Sequence, residues 1–483
     1  MQKLIWAVLV MAVVWVSCQP QQEKWDSLLD KESRWTAQES SATFSWEEGS
    51  LVCSGTAGTL VFDGGKEYRD FVLEAEVMTA PGSFAELLFH QSQPAAISAQ
   101  QGYGVIIGNS PEQNGDPARA MKTGSLAGIR HLYFPMAEDG EWFTLTVRVS
   151  GNQAETFVNG VRVMEYIQPL QPWRSAATGG RLFSSGTFAV RHTSGTVKMR
   201  SLKVKVLPAG EVVPLKVDEA WAARVTRLME ANFPLIDYHI HLKGGLTIEE
   251  AIENSQRLGI NYGIAPNCGL KFPVTDDVSL AAYMDTVRGK PIFRGMQAEG
   301  REWITLFSPE AVAKFDYVFT DALTFTDDQG RRNRLWIPEE VWVEDEEKFM
   351  DQLVARIEAI MSQEPVDIYV NPTLLPDALM PRYDLLWTPA RVERVIRVLR
   401  DNNVALEINA RYQVPSAAII RAAREAGLKF SLGTNNAAAD LGQLEYSLQM
   451  IDECGITPAE IFFPVVHERK PVLVRGLPEK ITG

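Results

Sequence analysis

The sequence predicts two domains of different class, an all-β sandwich followed by a parallel α/β barrel. Short runs that alternate apolar and polar residues dominate positions 24–207, a pattern typical of strands with one buried face. From residue 232 onward, apolar strand-like runs alternate with helical patterns, as in a parallel sheet covered by helices. The length of 483 residues also exceeds what one hydrophobic core normally supports.

Strand signals define the first domain, predicted over residues 24–207. Residues 71–77 and 143–149 each place an apolar side chain at every second position. Asn159 and Gly160 separate two further strand-like runs, and this pair favours a tight hairpin because both turn positions need a positive φ. Many such strands without convincing helices indicate an antiparallel jelly-roll sandwich.

A connecting segment, residues 208–231, separates the domains. Pro208, Gly210 and Pro214 indicate a linker, and residues 217–231 are predicted to form a helix. The second domain, over 232–483, is predicted to be a TIM-like (β/α)7 barrel because seven strand–helix units follow one another. Thr247 and Glu250 form a capping box before one of its helices. The predicted strands are 235–241, 261–267, 292–298, 316–321, 366–371, 404–409 and 429–435.

Residues 1–18 resemble a bacterial lipoprotein signal. Lys3 supplies the positive region, residues 4–16 are an apolar run that is short for a membrane span, and Ser17 precedes Cys18. Cys18 is the expected lipidated residue. This predicts a protein anchored in the bacterial cell envelope, facing the periplasm or on the outer-membrane surface, whose membrane contact is the lipid anchor alone. A plain secretory signal is the alternative.

The charge of the chain excludes one class of partner. The formal net charge is −14, and there is no basic tract, whereas nucleic-acid binding needs clustered positive charge. The remaining cysteines, Cys53, Cys268 and Cys454, are far apart and odd in number, so we expect buried thiols without a disulfide framework. Nothing in the sequence sets the oligomeric state.

Polar side chains end the predicted barrel strands. In parallel barrels the chemistry lies at the carboxyl ends of the strands. His239 and His241 are two residues apart and so face the same side of a strand, with Asp237 beside them. Arg301 and Arg411 each follow a strand end by two residues and are candidate clamps for an oxyanion. The other strand-end residues are Asn267, Glu299, Asp321, Asn371, Glu407, Asn409 and Asn435.

The second domain resembles the PHP superfamily of metal-dependent hydrolases. Asp237, His239 and His241 match its first motif, an acidic residue followed by HxH, and residues 295–299 match its strand-end glutamate. Residues that these families use as further ligands are replaced, which argues against a multi-metal cluster. The replaced positions are occupied by Asn267, Asn371, Asn435 and Ala437.

The resemblance implies one divalent transition metal, zinc or manganese, with His239, His241 and Glu299 as ligands. Asp237 is either a fourth ligand or a residue that orients the others. A metal-free sugar pocket is the alternative, because amide, carboxylate and guanidinium groups also bind hydroxyl-rich ligands.

The first domain resembles the 3-keto-disaccharide hydrolase domain, a concanavalin-like jelly roll. The resemblance rests on five short glycine-containing motifs in order. It implies a domain that binds saccharides, either as a binding domain alone or as one that also cleaves them. His90 and His131 are among the candidate lining residues of its concave sheet. The motifs are residues 102–105, 122–128, 140–144, 158–161 and 186–190.

Together these observations predict an exported hydrolase that acts on a saccharide or keto-glycoside. Asp321 or Glu407 is the expected proton-transfer group. Two alternatives stay open, a non-enzymatic glycan-binding lipoprotein with degenerate sites and a PHP-type phosphoesterase. The expected substrate-binding residues are Asn267, Arg301, Asn371, Asn409, Arg411 and Asn435.

Overall fold

The computed structural model describes residues 24–30, 34–38, 44–92, 101–111 and 117–478. The predicted signal and Cys18 lie outside these residues. None of the described helices is both long and apolar enough to cross a bilayer.

The first domain is a sandwich of two antiparallel sheets, as predicted. The larger sheet has the order β11-β10-β9-β6-β13-β4-β3, with β1 beside β13, and the smaller has the order β2-β5-β12-β7-β8. The strands are β1 (Asp26–Ser27), β2 (Trp35–Ala37), β3 (Phe44–Glu47), β4 (Ser50–Ser54), β5 (Gly58–Phe62), β6 (Phe71–Thr79), β7 (Phe84–Gln91), β8 (Tyr103–Ile107), β9 (Phe143–Ser150), β10 (Gln153–Val158), β11 (Val161–Ile167), β12 (Thr187–Ser194) and β13 (Thr196–Val206).

Alternation of side chains explains how this sandwich closes. In β6 every second residue from Phe71 onward is buried and the residues between them are partly exposed, so one face joins the core and the other faces solvent. The predicted hairpin at Asn159 and Gly160 joins β10 to β11, and both residues have a positive φ. The free thiols of Cys53, Cys268 and Cys454 are buried, which confirms that prediction.

The second domain is a closed barrel of seven parallel strands. Each strand pairs with its neighbours in sequence, and β14 pairs with β23 to close the ring, while the two-residue β16 extends the edge of β17. All seven predicted strands are present, each shorter than predicted. They are β14 (Ile236–Ile240), β15 (Asn261–Ile264), β17 (Phe293–Ala298), β18 (Tyr317–Thr320), β21 (Ile368–Tyr369), β22 (Ala405–Asn409) and β23 (Phe430–Gly433), and the short extra strands are β16 (Asn267–Cys268), β19 (Thr324–Thr326) and β20 (Arg332–Arg334).

Helices cover the outside of the barrel and precede it. The second of them begins at the predicted capping box, in which Thr247 and Glu250 bond each other's backbone N–H groups. The helices are α1 (Glu219–Glu230), α2 (Ile248–Leu258), α3 (Asp277–Val287), α4 (Trp303–Leu306), α5 (Pro309–Val312), α6 (Glu346–Gln363), α7 (Tyr383–Leu386), α8 (Pro389–Asp401), α9 (Ala417–Glu425), α10 (Glu445–Cys454) and α11 (Pro471–Arg475).

The sandwich packs against the base of the barrel, where the strands begin. Asn261, the first residue of β15, accepts a hydrogen bond from the Tyr133 N–H (3.2 Å) and donates one to the His131 carbonyl (2.9 Å). The rings of Phe134 and Phe293, the first residue of β17, meet edge to face with centroids 6.0 Å apart. A cleft of about 710 Å³ remains beside these contacts, with Trp142 in its lining. The carboxyl ends of the strands therefore face away from the sandwich.

Candidate functional site

His239 and Glu407 form a buried pair at the barrel mouth. His239 ends the first barrel strand, and its Nδ1 lies 2.6 Å from Glu407 Oε1 on β22. Glu407 Oε2 accepts two further hydrogen bonds, from the Asn371 N–H (2.7 Å) and from Asn409 Nδ2 (2.9 Å). Because the carboxylate only accepts here, Nδ1 carries the proton and Nε2 carries the lone pair. That Nε2 is buried without a hydrogen-bond partner among the described residues.

This geometry changes the role predicted for Glu407. Both of its oxygens are occupied and its side chain is only 1% exposed, so it has no free oxygen to present to a substrate. It orients His239, as a carboxylate orients the histidine of a catalytic triad. The sequence showed that Glu407 ends a strand, but the partner that determines its role lies 168 residues away.

His241 is held in the same way through a backbone partner. Its Nδ1 lies 2.8 Å from the Ala265 carbonyl, which can only accept, so Nε2 again carries the lone pair. The His239 and His241 rings are 5.1 Å apart between centroids. Burial, reinforced by His239, holds the pKa of His241 well below its usual range. His241 is therefore neutral at physiological pH.

Asp237 is hydrogen-bonded to His239 and Thr434, which belong to two neighbouring segments of the barrel mouth. Its Oδ1 accepts hydrogen bonds from the backbone N–H groups of His239 (3.1 Å) and Thr434 (3.0 Å), and its Oδ2 accepts one from the Thr434 hydroxyl. Burial raises its pKa to about 6, against the opposing effect of these hydrogen bonds. Of the two predicted roles, ligand and orienter, this arrangement fits the orienter.

Glu299 and Asp321 provide a second, protonatable pair of carboxyl groups. Burial, and after it the charge of the neighbouring Asp321, raise the pKa of Glu299 from 4.5 to about 7. Burial also raises the pKa of Asp321. Glu299 Oε1 accepts a hydrogen bond from Asn267 Nδ2 at 2.6 Å. Two interacting carboxyl groups with raised pKa values share protons near neutral pH, and such pairs serve as acid and base.

Asparagines connect these groups into one network. Asn371 Oδ1 accepts hydrogen bonds from Asn409 Nδ2 (2.9 Å) and Asn435 Nδ2 (2.7 Å). The Asn371 Nδ2 points toward Asp321 Oδ2, 3.4 Å away. Asn371 and Asn435 have φ angles of 49° and 50°, a left-handed conformation that asparagine tolerates better than most residues. The structure thus brings together the asparagines that the sequence placed at separate strand ends.

The two arginines predicted to bind an oxyanion, Arg301 and Arg411, differ in their contacts with the protein. Arg301 is engaged inside the protein, because its Nη1 pairs with the buried Glu364 at 2.6 Å and its Nη2 donates to Thr320 Oγ1 at 2.9 Å. Arg301 is therefore already bonded within the protein, and its role in substrate binding stays a prediction. Arg411 has an exposed side chain, whose Nη1 lies 3.5 Å from the Asn435 carbonyl and whose guanidinium lies over the Tyr412 ring. Lys243, which the sequence reasoning missed, lies within electrostatic range of both Arg411 and Glu299.

The predicted metal ligands do not assemble as a set. The described part of the chain contains no group of three or more His, Cys, Asp or Glu side chains placed to hold a metal ion. Asp237 is occupied by Thr434, as above, and Glu299 is hydrogen-bonded to Asn267. Two imidazole Nε2 atoms without a grouped carboxylate fall short of the three-residue donor sets usual for catalytic zinc. The arrangement therefore does not fit the four-ligand prediction of Asp237, His239, His241 and Glu299.

Two histidines of the sandwich, His90 and His131, are hydrogen-bonded within it. His90 Nε2 lies 2.9 Å from the Arg69 carbonyl, and His131 Nε2 accepts a hydrogen bond from the Gly128 N–H at 2.8 Å. Burial lowers the pKa of His90 to about 4 and that of His131 to about 3. Neither histidine is available for acid–base chemistry at neutral pH.

Gly433 gives a test of the His239–Glu407 pair that leaves both residues in place. A Cβ at this position would lie 2.1 Å from Glu407 Oε1 and 2.8 Å from His239 Cβ. We expect Gly433→Ala to push the carboxylate off the imidazole and to lower the free energy of unfolding by about 1–3 kcal/mol, measured by urea denaturation. Gly179→Ala is the control, because the nearest atom to an added Cβ there is 3.8 Å away. Equal free energies of unfolding for the two variants would show that a Cβ at Gly433 does not displace Glu407.

Comparison with known proteins adds a family for the first domain. Residues 24–205 match the model of a family described as 3-keto-alpha-glucoside-1,2-lyase-like domain. No curated protein matches the chain in sequence.

Solved structures resemble each half. A protein of Parabacteroides distasonis described as a glycosyl hydrolase is 16% identical with a TM-score of 0.32, covering 36% of this chain and 89% of that one. The carbohydrate-binding module CBM66 of Bacillus subtilis is 13% identical with a TM-score of 0.26 (36% and 95% covered). Histidinol phosphate phosphatase of Lactococcus lactis, solved with zinc, is 11% identical with a TM-score of 0.33 (48% and 99% covered). At such identities none of these proteins determines the chemistry of this chain.

Proposed function

We propose that the chain is a carbohydrate-processing hydrolase, because residues 24–205 match the model of a family described as 3-keto-alpha-glucoside-1,2-lyase-like domain. Its substrate class is a saccharide or keto-glycoside. The reaction centre is the barrel mouth, and the sandwich contributes a glycan-binding surface. The observation that carries the proposal is the buried His239 Nε2, which holds a lone pair and has no partner among the described residues.

We propose that His239 is the general base. Glu407 fixes the tautomer that leaves the lone pair on Nε2, so Nε2 can accept a proton from the water whose oxygen attacks the anomeric carbon. The resulting imidazolium would be stabilised by the carboxylate at 2.6 Å.

Glu299 is the general acid of this proposal. With a pKa of about 7 it holds a proton at neutral pH for a large fraction of the time, and it can pass that proton to the glycosidic oxygen as the carbon–oxygen bond breaks. Asp321 keeps the pKa of Glu299 raised through its charge. The amide groups of Asn267, Asn371, Asn409 and Asn435 suit the hydroxyl groups of a sugar.

A second candidate keeps a single zinc or manganese ion at the mouth. It is favoured by the anchoring of both imidazoles through Nδ1, which turns both Nε2 atoms away from these anchors. The His239 Nε2 has no partner among the described residues, whereas a metal at His241 would have to replace its hydrogen bond with the Gln297 side chain. The ion would supply a polarised water. His239 and His241 would be its protein ligands, with the third position unfilled by any grouped carboxylate of the described residues.

One assay of the full chain distinguishes these possibilities. We expect turnover of a 3-ketoglucoside or its parent glucoside that survives dialysis against a chelator, together with no turnover of an aryl phosphate. Loss of activity on chelation, restored by zinc or manganese, would replace the metal-free proposal with the second candidate. Tight glycan binding without any turnover would indicate a binding protein, and turnover of the aryl phosphate a phosphoesterase.

We also propose that the protein is a lipoprotein of the bacterial cell envelope, attached through Cys18. This proposal is supported only by the sequence pattern of residues 1–18. Labelling with a radioactive fatty acid, lost in Cys18→Ser, would test it.

A further inference from the structure

Two cationic side chains, Lys243 and Arg411, lie at the barrel mouth on loops that follow different strands. Lys243 comes two residues after His241, and Arg411 comes two residues after Asn409. Lys243 is half-buried, and burial lowers its pKa; the charge of Glu299 opposes this shift and the charge of Arg411 adds to it. Arg411 is exposed beyond the ring of Tyr412, with its guanidinium carbon 5.1 Å from the ring centroid.

Hydrogen bonds fix the relative position of the two loops. Asn436 Oδ1 accepts from the His241 N–H (2.8 Å), and Asn436 Nδ2 donates to the His241 carbonyl (2.8 Å). Gly244, with a φ of +65°, packs against the backbone of Ala438 and Ala439, where an added Cβ would lie 3.1–3.3 Å from their atoms. The Lys243 loop is therefore joined to the loop whose Asn435 carbonyl contacts Arg411. These contacts fix the positions of the loops that carry Lys243 and Arg411.

Among the residues that the structure describes, neither cation forms an ion pair. Arg301 at the same end of the barrel pairs with Glu364 at 2.6 Å, and Arg424 on the outer surface pairs with Glu460 at 2.8 Å. In the described residues, by contrast, no ion pair within 4.0 Å involves Lys243 or Arg411. The charge of Glu299 also acts on Lys243, without an ion pair between the two.

We infer that Lys243 and Arg411 bind an oxyanion group on the saccharide, so that the barrel mouth selects acidic sugars over neutral ones. This inference rests on the proposed function and names its substrate class. The oxyanion is a carboxylate, as in a uronic acid, or a phosphate ester; both accept the forked hydrogen bonds of a guanidinium and the point charge of an ammonium. A neutral sugar would leave the two cations facing each other without compensation, which disfavours its binding.

Calorimetric titration of the full-length protein tests the inference. Three ligands share one skeleton: a glucuronosyl-glucose disaccharide, the corresponding neutral glucosyl-glucose, and its 6-phosphate. We expect at least one acidic ligand to bind about tenfold or more tightly than the neutral one. This preference should weaken about tenfold in Arg411→Gln and in Lys243→Gln, and it should fall with added salt. The two acidic ligands distinguish a carboxylate from a phosphate ester.

Arg469→Gln is the matched control. Arg469 is also exposed and also has no ion-pair partner among the described residues, but it lines the cleft at the base of the barrel. Equal affinities for all three ligands would overturn the inference, as would a preference that Arg469→Gln reduces and Arg411→Gln does not. Because the readout is binding, the inference can hold even if no turnover is found, and turnover of neutral sugars alone would support the proposed function while refuting the inference.

Discussion

Glu299→Gln should lower kcat by about 10²- to 10⁴-fold, the range typical of a lost general acid. The substituted amide keeps the size of the side chain and its contact with Asn267, but it has no proton to give to the leaving oxygen. KM should change little, because the hydrogen-bonding shape of the site is kept. Initial rates on the best glycoside substrate measure both constants. Glu310→Gln, on an exposed helix end, is the control and should keep full activity.

The pH dependence of this variant carries a second expectation. In the native protein the pKa of Glu299 rises from 4.5 to about 7, so the native state keeps a proton that the unfolded state releases. The free energy of unfolding should therefore fall as pH rises from about 4.5 to 7. Glu299→Gln removes this contribution, and its stability should decline less over the same window. Activity of the native enzyme should fall above about pH 7, and an unchanged profile in a weakly active variant would show that Glu299 is not the acid.

Glu407→Gln should be almost as damaging, although Glu407 does not touch the substrate. An amide can replace the Oε2 that accepts from Asn371 and Asn409, which turns its N–H₂ group toward His239 Nδ1. Nδ1 must then accept, so the proton moves to Nε2 and the lone pair needed for base catalysis is lost. Converting the orienting carboxylate of a triad to an amide costs about 10⁴-fold in kcat, and we expect a loss of about 10²- to 10⁴-fold.

Nitrogen-15 NMR of the histidines separates this mechanism from simple unfolding. The native protein should show His239 protonated on Nδ1, and Glu407→Gln should show it protonated on Nε2, with circular dichroism unchanged. Glu445→Gln, exposed at the start of an outer helix, should alter neither activity nor tautomer. A normal kcat in Glu407→Gln, with the tautomer switched, would exclude His239 as the base.

The sequence was most informative where a local pattern determines the structure. Alternation in residues 71–77 predicted a strand with one buried face, and the barrel strands were located from their apolar runs, because burial along a strand is set by neighbours in sequence. The same rule located His239, Glu299 and Asp321 at the carboxyl ends of strands.

Roles that depend on distant partners were not predictable in this way. Arg301 appeared free because Glu364, which neutralises it, lies 63 residues further along the chain. Glu407 appeared catalytic because its contact with His239 spans 168 residues. Lys243 had no distinguishing pattern, and only the Asn436 contacts with His241 place its loop beside Asn435. Asn436, which makes those contacts, follows the replaced ligand position Asn435, and no sequence pattern distinguished it.

The sandwich is attached to the amino ends of the barrel strands, so the domain junction and the barrel mouth lie at opposite ends of the barrel. The longer barrel strands have five or six residues, which at about 3.3 Å per residue makes the barrel roughly 15–20 Å deep. A sugar residue held at the domain junction and one held at the mouth therefore lie on opposite sides of a packed core. A short oligosaccharide cannot occupy both. If both ends bind glycans, one chain can bridge two separate strands of a polysaccharide, or hold an insoluble polymer with one end while the other acts on fragments that diffuse to it.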